Sequence, residues 1–115
     1  MIVVKADQTE FFENSPTCSG YSFPSTGQDI NGALITIKGR YPEKGFVTNE
    51  ICKELAYITS GNGILMTKDG KKSAFMLGDV VFIDSGEVFA WEGEFSGFFA
   101  TTPTFDTSQH KEVSA

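Results

Sequence analysis

Short apolar runs alternate with turn signals along most of the chain, most regularly over residues 54–91. β-branched and aromatic residues fill these runs. Four turn signals separate them: Asn62-Gly63, Asp69-Gly70, Gly78-Asp79 and Asp84-Ser85-Gly86. Asn-Gly and Asp-Gly favour type I′ turns, because both central residues of such a turn need positive φ. The pattern therefore predicts a ladder of short antiparallel strands, which is typical of an all-β sandwich or closed barrel.

Two segments show the strict alternation of a β-strand. Residues 30–38 have one apolar face, formed by Ala33, Ile35 and Ile37. Residues 52–60 have two faces, Glu54 with Ala56 and Ile58, and Leu55 with Tyr57 and Thr59. Neither face of this second strand is properly polar, so both need cover. We expect one face to meet the core and the other to meet a partner subunit, which predicts a homodimer.

The flanking segments carry weaker signals. Strands are predicted at residues 2–5, 21–23, 87–91 and 95–101, with a turn at Glu92-Gly93 between the last two. One helical turn is predicted at residues 9–14, and loops at 15–20, 24–29 and 39–45. The polar tail begins at Thr102-Pro103. No amphipathic helix or internal repeat is predicted.

The composition restricts the partners and the compartment. A net charge of −6 with no basic cluster beyond Lys71-Lys72 argues against nucleic acid, because phosphate contacts need basic residues. No apolar run approaches the roughly 20 residues of a membrane helix, and the first residues lack the features of a signal peptide. With only Cys18 and Cys52, the chain is predicted to be cytoplasmic with both thiols reduced.

Length and phenylalanine content bear on the architecture. The chain has 115 residues, which predicts one domain. Eleven phenylalanines are more than one small core usually needs, so we expect some of them to line a cavity or an interface.

Two stretches of the central region resemble the motifs of a known family. The segment from Glu54 to Gly61 resembles the end of the first cupin motif, and residues 78–89, with Gly78 and Gly86, resemble the second. The resemblance implies an all-β double-stranded β-helix, or jelly-roll barrel, that is usually a homodimer. We expect a barrel core at about residues 30–101, an N-terminal arm at 1–29 and a C-terminal tail at 102–115.

The metal ligands of cupins are not carried over by this resemblance. Cupins that bind metal use two His and a Glu in the first motif and a His in the second. Here Glu54 matches, Phe89 stands at the second-motif His, and no His precedes Glu54. We therefore predict no metal cofactor. The alternative is an oxygen-rich shell of Asn49, Glu50 and Glu54, which would suit Mg²⁺, Ca²⁺ or Mn²⁺.

The remaining candidates concern a site inside the barrel. The resemblance implies that Glu54 faces the barrel interior, where desolvation would raise its pKa and suit it to acid–base chemistry. Phe89 and Trp91 alternate and so share one direction, which is inward at the matching cupin positions; they would form an apolar or sugar-stacking wall, with Asn49 nearby. His110 is the only histidine. It is predicted either to lie on the surface or to reach the barrel mouth on a folded-back tail.

These residues support three hypotheses. The first is a metal-free module that binds a small polar organic ligand, carbohydrate- or carboxylate-like, through Phe89, Trp91, Asn49 and Glu54. The second is a metal-independent sugar isomerase, epimerase or lyase, in which Glu54 works with a second ionisable group such as His110. The third is a metal-dependent cupin with the oxygen-rich shell, whose ligands Asn49, Glu50 and Glu54 would have to converge.

Overall fold

The computed structural model describes residues 1–24, 27 and 29–115. Within these residues the protein is a β-sheet protein, which confirms the predicted all-β class. The strands are β1 (Glu10–Ser15), β2 (Cys18–Ser22), β3 (Asn31–Tyr41), β4 (Phe46–Asn49), β5 (Lys53–Thr67), β6 (Lys72–Met76), β7 (Val80–Ile83), β8 (Val88–Thr102) and β9 (His110–Val113). Two 3₁₀ turns occur at Ala6–Gln8 and Thr107–Gln109. No helix in this part of the chain is long and apolar enough to span a membrane.

Strand β8 is the centre of the curled antiparallel sheet. Along one edge it pairs with β3, from Asn31↔Thr101 to Tyr41↔Trp91. Along the other it pairs with β5, from Lys53↔Thr102 to Thr67↔Phe89. The path β1-β2-β3-β8-β4-β9 completes one side, and β5 carries β6 and β7 on the other. Strands β1, β2 and β9 therefore join the predicted N-terminal arm and C-terminal tail to the sheet.

Alternate residues of β8 fill the interior. Phe89, Trp91, Phe95 and Phe99 are all at most 4% exposed. The Trp91 ring lies within 6.2 Å, centroid to centroid, of the rings of these three phenylalanines, and it also contacts Phe75. Aromatic rings bury large apolar areas and prefer such edge-on contacts. The inward direction predicted for Phe89 and Trp91 is thus observed.

Two predicted turns are wrong, because their glycines lie inside long strands. Asn62-Gly63 belongs to β5 and Glu92-Gly93 to β8, and Gly63 pairs with Gly93. A Cβ on Gly93 would lie 2.5 Å from the Asn62 carbonyl oxygen. The glycines allow the two backbones to approach closely where the strands bend. In the sequence, glycines with this role cannot be distinguished from glycines of a hairpin turn.

A bulge explains why the alternation of β5 breaks. Ile58 pairs with Gly97 but Ser60 pairs with Ser96, so Thr59 is an extra residue. One extra residue shifts the parity of the strand. Even-numbered residues such as Glu54 and Ala56 face inward before the bulge. After it, the odd-numbered Leu65 packs against the core.

The other predicted elements have mixed outcomes. The turns at Asp69-Gly70, Gly78-Asp79 and residues 84–86 are confirmed. The helical turn predicted at residues 9–14 is wrong, because β1 occupies it and pairs with β2. The strand predicted at residues 2–5 is also wrong. The turn predicted at residues 24–29 includes Ser25, Thr26 and Gln28, which lie outside the described residues.

Gly61 provides a test of the close backbone approach. Its φ is +79°, and a Cβ there would overlap the Glu94 carbonyl oxygen and lie 2.8 Å from the Phe95 Cα. Gly86 has a φ of +81° with nothing within 4 Å of a Cβ. Gly86→Ala should cost about 1–2 kcal/mol of unfolding free energy, from backbone strain alone. Gly61→Ala should cost at least about 3 kcal/mol in urea unfolding, because strain and overlap add. Equal losses would contradict this account.

Candidate functional site

A cavity of about 270 Å³ lies between the inner face of the sheet and the C-terminal segment. Its apolar wall is formed mainly by Ile35, Ile37, Phe89, Trp91, Phe99 and Phe105. Its polar wall includes Asn14, Asn31, Tyr41, Asn49, Glu54 and His110. A few polar groups in a mostly apolar pocket are typical of a small-molecule site.

Glu54 reaches the cavity from β5. It lies opposite Ile83 of β7 and Thr101 of β8. Its carboxyl has no hydrogen-bond partner among the described residues, and burial raises its pKa from 4.5 to about 7. A desolvated carboxyl is harder to ionise, because the charged form loses its hydration. Glu54 therefore changes protonation state near neutral pH, which suits a general acid or base.

The C-terminal segment brings His110 into the same cavity. β9 pairs with β4, which places His110 opposite Asn49. The Nδ1 of His110 lies 2.8 Å from the Asn49 Oδ1, and its Nε2 lies 2.9 Å from the Tyr41 hydroxyl oxygen. The structure thus places His110 in the cavity wall and not on the outer surface.

A chain of hydrogen bonds determines which nitrogen of His110 carries the proton. The backbone N–H groups of Ile51 and Cys52 donate to the Gln109 Oε1. The Gln109 Nε2 is then the donor to the Asn49 Oδ1, at 3.2 Å. Because that oxygen only accepts, the Nδ1 of His110 must be protonated. Its Nε2 is therefore bare and accepts the hydroxyl proton of Tyr41.

Burial keeps both members of the Tyr41–His110 pair neutral at neutral pH. It lowers the pKa of His110, although the nearby Glu112 opposes this shift. Burial also raises the pKa of Tyr41 well above its usual range, and the nearby Cys18, Glu112 and Glu54 add to that shift. The neutral imidazole can therefore accept a proton, and the Tyr41 hydroxyl can pass one to it from the cavity.

The oxygen-rich metal shell does not assemble. Glu50 is exposed on the surface and does not line the cavity. Asn49 does line it, but its amide oxygen already accepts from Gln109 and His110. Within the described residues, no group of three or more His, Cys, Asp or Glu side chains could hold a metal ion. The structure therefore brings Asn49 and Glu54 to the cavity and leaves Glu50 outside it.

Several cavity residues were not predicted from the sequence. Tyr41 lies in a segment that the sequence predicts to be a loop, but it ends β3 and continues the odd-numbered alternation of Ile35 and Ile37 across Gly39. Asn31 lies on the wall and accepts from the Thr101 hydroxyl at 2.6 Å. Cys18 also lines the cavity, and burial raises its pKa to about 11, so this thiol is protonated at neutral pH. Both cysteines are free.

Comparison with known proteins identifies the fold. No protein-family model and no curated protein matches the chain. Among solved structures, Streptomyces PAC13 with bound uridine matches with a TM-score of 0.85 and 11% identity, over 99% of this chain and 91% of that one. Pac13 is described as a nucleoside dehydratase.

Two further solved structures match the fold of this chain. The ectoine synthase of P. lautus matches with a TM-score of 0.72 and 15% identity, over 100% of this chain and 91% of that one. An RmlC-like cupin of Shewanella frigidimarina matches with a TM-score of 0.69 and 16% identity, over 90% and 92%. The predicted cupin jelly-roll barrel is thereby confirmed as the fold.

The burial of Glu54 should appear in the pH dependence of stability. Between pH 4.5 and about 7 the folded protein binds a proton on Glu54 that the unfolded chain has lost. Folding stability attributable to this group is therefore complete below 4.5 and declines as the pH rises to about 7.

Glu54→Gln removes this titration. The variant should gain stability relative to the wild type as the pH rises, by about 3 kcal/mol between acid and mildly alkaline pH. Urea unfolding across this range measures the difference. Glu50→Gln, which changes an exposed carboxylate, is the matched control and should show little pH-dependent difference. A constant difference for Glu54→Gln would rule out a raised pKa.

Proposed function

We propose that this protein is a metal-independent acid–base enzyme, a lyase of the dehydratase type acting on a small hydroxylated molecule held in the cavity. One observation carries the proposal: Glu54, with its pKa near 7, and the Tyr41–His110 pair line the same cavity. This is the second ionisable group that the acid–base hypothesis requires. The mostly apolar wall excludes water, which strengthens the electrostatic interactions of both groups with a bound ligand.

The protonation states assign the two roles. The pKa of Glu54 is about 7 and that of His110 lies below 6.5. With one proton to share, the proton resides on Glu54 and the imidazole is neutral. Glu54 is therefore the general acid. His110 is the general base, and it acts through the Tyr41 hydroxyl.

The proposed dehydration combines two proton transfers with cleavage of one C–O bond. A C–H proton next to a carbonyl of the ligand passes to the Tyr41 oxygen, while the Tyr41 proton passes to the Nε2 of His110. The C–O bond on the adjacent carbon breaks, and its oxygen takes the proton of Glu54 and leaves as water. The products are an unsaturated carbonyl compound, an imidazolium and a carboxylate. The Asn49 amide oxygen stabilises the imidazolium through Nδ1.

The ligand class is supported by two observations. Phe89 and Trp91 provide flat apolar surfaces against which a ring can pack. Pac13, which has the same fold, was solved with uridine and is described as a nucleoside dehydratase. Uridine is therefore the first probe. The same wall also supports the simpler hypothesis of a module that binds a small polar ligand without reaction.

Activity and binding measurements separate the two hypotheses. Trp91 is the only tryptophan and lines the cavity, so its fluorescence should report ligand binding. Nucleosides and hydroxylated aldehydes and ketones are screened by fluorescence, and loss of water is followed by mass spectrometry.

If the enzyme hypothesis is correct, Tyr41→Phe and Glu54→Gln should each lower kcat by about 100-fold or more. Tyr41→Phe should change ligand affinity only a few-fold, because the ring remains. Glu50→Gln should match the wild type. The rate should peak just below pH 7, declining as Glu54 ionises and as His110 is protonated. Binding without turnover of any ligand would favour the binding module instead.

We also propose that the protein is a homodimer, through the outer face of the sheet. Large apolar side chains form one row across six strands, in register: Phe11, Tyr21, Leu34, Phe98, Tyr57 and Val80. Each is at least 37% exposed. A two-fold interface places the same patch against itself. The row carries no charge, so two copies could bury it against each other without burying an unpaired charge.

A charge in the centre of this row should separate the subunits. Tyr57 is 47% exposed, so Tyr57→Asp should leave the barrel folded and shift the protein from dimer to monomer at micromolar concentration. Leu77→Asp, in the turn before β7, changes a side chain that is 59% exposed but outside the row, and it should remain dimeric. Analytical ultracentrifugation distinguishes the states. A monomeric wild type would refute the proposal.

A further inference from the structure

The wall of the cavity carries one acidic side chain and no basic one. Among the described residues that line it, Glu54 is the only side chain that ionises near neutral pH, because burial keeps His110, Tyr41 and Cys18 neutral. The wall contains no Lys or Arg among the described residues. The basic residues of the chain, nine in total, lie elsewhere.

Acidic groups also surround the wall. Glu112 of β9 acts electrostatically on both Tyr41 and His110. Glu54 acts electrostatically on Tyr41 and Cys18. At the exposed rim, Asp106 precedes Thr107, which lines the cavity. These carboxylates, together with the net charge of −6, disfavour the approach of an anion.

An anionic ligand would be penalised twice in such a cavity. It would lose its hydration in an apolar space, and no cation would compensate for that loss. It would also be repelled by Glu54 whenever that carboxyl is ionised. The Asn14, Asn31 and Tyr41 side chains, by contrast, are neutral partners of the kind that hydroxyl and amide groups need.

From this charge distribution we infer that the cavity takes an uncharged or cationic ligand and rejects its phosphorylated or carboxylated counterpart, with Glu54 as the residue that determines this selectivity. The inference rests on the proposed function only in placing the ligand in this cavity. It decides between the two ligand types predicted from the sequence, in favour of the carbohydrate-like and against the carboxylate-like one.

Matched ligand pairs test the inference directly. Uridine is compared with uridine monophosphate, and glucose with glucuronate, by Trp91 fluorescence. The neutral member of any pair that binds should bind about 100-fold more tightly, because an uncompensated charge is buried with the other member. Glu54→Gln should reduce this ratio by about tenfold. Equal or tighter binding of an anionic member would overturn the inference.

A second measurement does not depend on the identity of the ligand. Thr107→Cys places an accessible thiol at the rim, and it is modified with aminoethyl methanethiosulfonate, a cation, or sulfonatoethyl methanethiosulfonate, an anion. Rates at this thiol are read by peptide mass spectrometry and divided by those of a free small thiol. The cationic reagent should be favoured by about tenfold at mildly alkaline pH. Adding Glu54→Gln should reduce that preference at least threefold.

The outcomes separate this inference from the proposed function. The expected reagent preference without any turnover would reject the dehydratase and leave the charge selectivity intact. No preference for the cation would overturn the selectivity, whatever the activity. A preference that Glu54→Gln leaves unchanged would overturn the role of Glu54. Trp91 fluorescence confirms folding of the variant.

Discussion

The pairing of β8 along both of its edges is the constraint on which the rest of the structure depends. This fifteen-residue strand pairs with β3 and β4 along one side and with β5 along the other. Such a strand has little freedom to slip, because a shift of one residue would expose its aromatic face. Its odd-numbered residues therefore stay inside. They form both the core around Trp91 and the apolar wall of the cavity.

The polar half of the cavity depends on backbone groups elsewhere. Two N–H groups, of Ile51 and Cys52, orient the Gln109 amide, which orients Asn49 and, through it, the His110 ring. Each link is buried or half-buried, where an unpaired donor or acceptor costs about 1–3 kcal/mol. Glu54 is the exception, since its carboxyl has no hydrogen-bond partner in the part of the chain that the structure describes. Its burial lowers stability at neutral pH, a cost that is common for groups retained for function.

Much of the fold could be predicted from local sequence, and less of the site. Alternation and short turns are local signals, and they predicted β3, the start of β5, β7 and the barrel. The bends at Gly61 and Gly93 were not predictable, because a glycine needed for close approach looks like a glycine needed for a turn. The bulge at Thr59 leaves no local signal either.

The position of Glu54 followed from strand parity and from the resemblance to a cupin motif. The arrangement of His110 with Tyr41 did not. It requires β9 to pair with β4 although Asn49 and His110 are 61 positions apart in the sequence. Such long-range pairing depends on the whole folded sheet. Tyr41 could not be assigned to β3 from the sequence, because Gly39 interrupts the apolar alternation. In the structure Gly39 pairs with Gly93 and the strand continues to Tyr41.

The single-edge attachment of β9 has a consequence for how the cavity exchanges its contents. β8 is paired on both edges, whereas β9, within the described residues, pairs with β4 only, over four residue pairs. Segments held by few contacts open with lower free energy than the global unfolding of the domain. Detachment of β9 would remove His110 from the wall while the aromatic core stays folded. The proposed base is thus carried by an edge strand, so that detachment of this strand would open the cavity and separate the proposed acid–base pair at the same time.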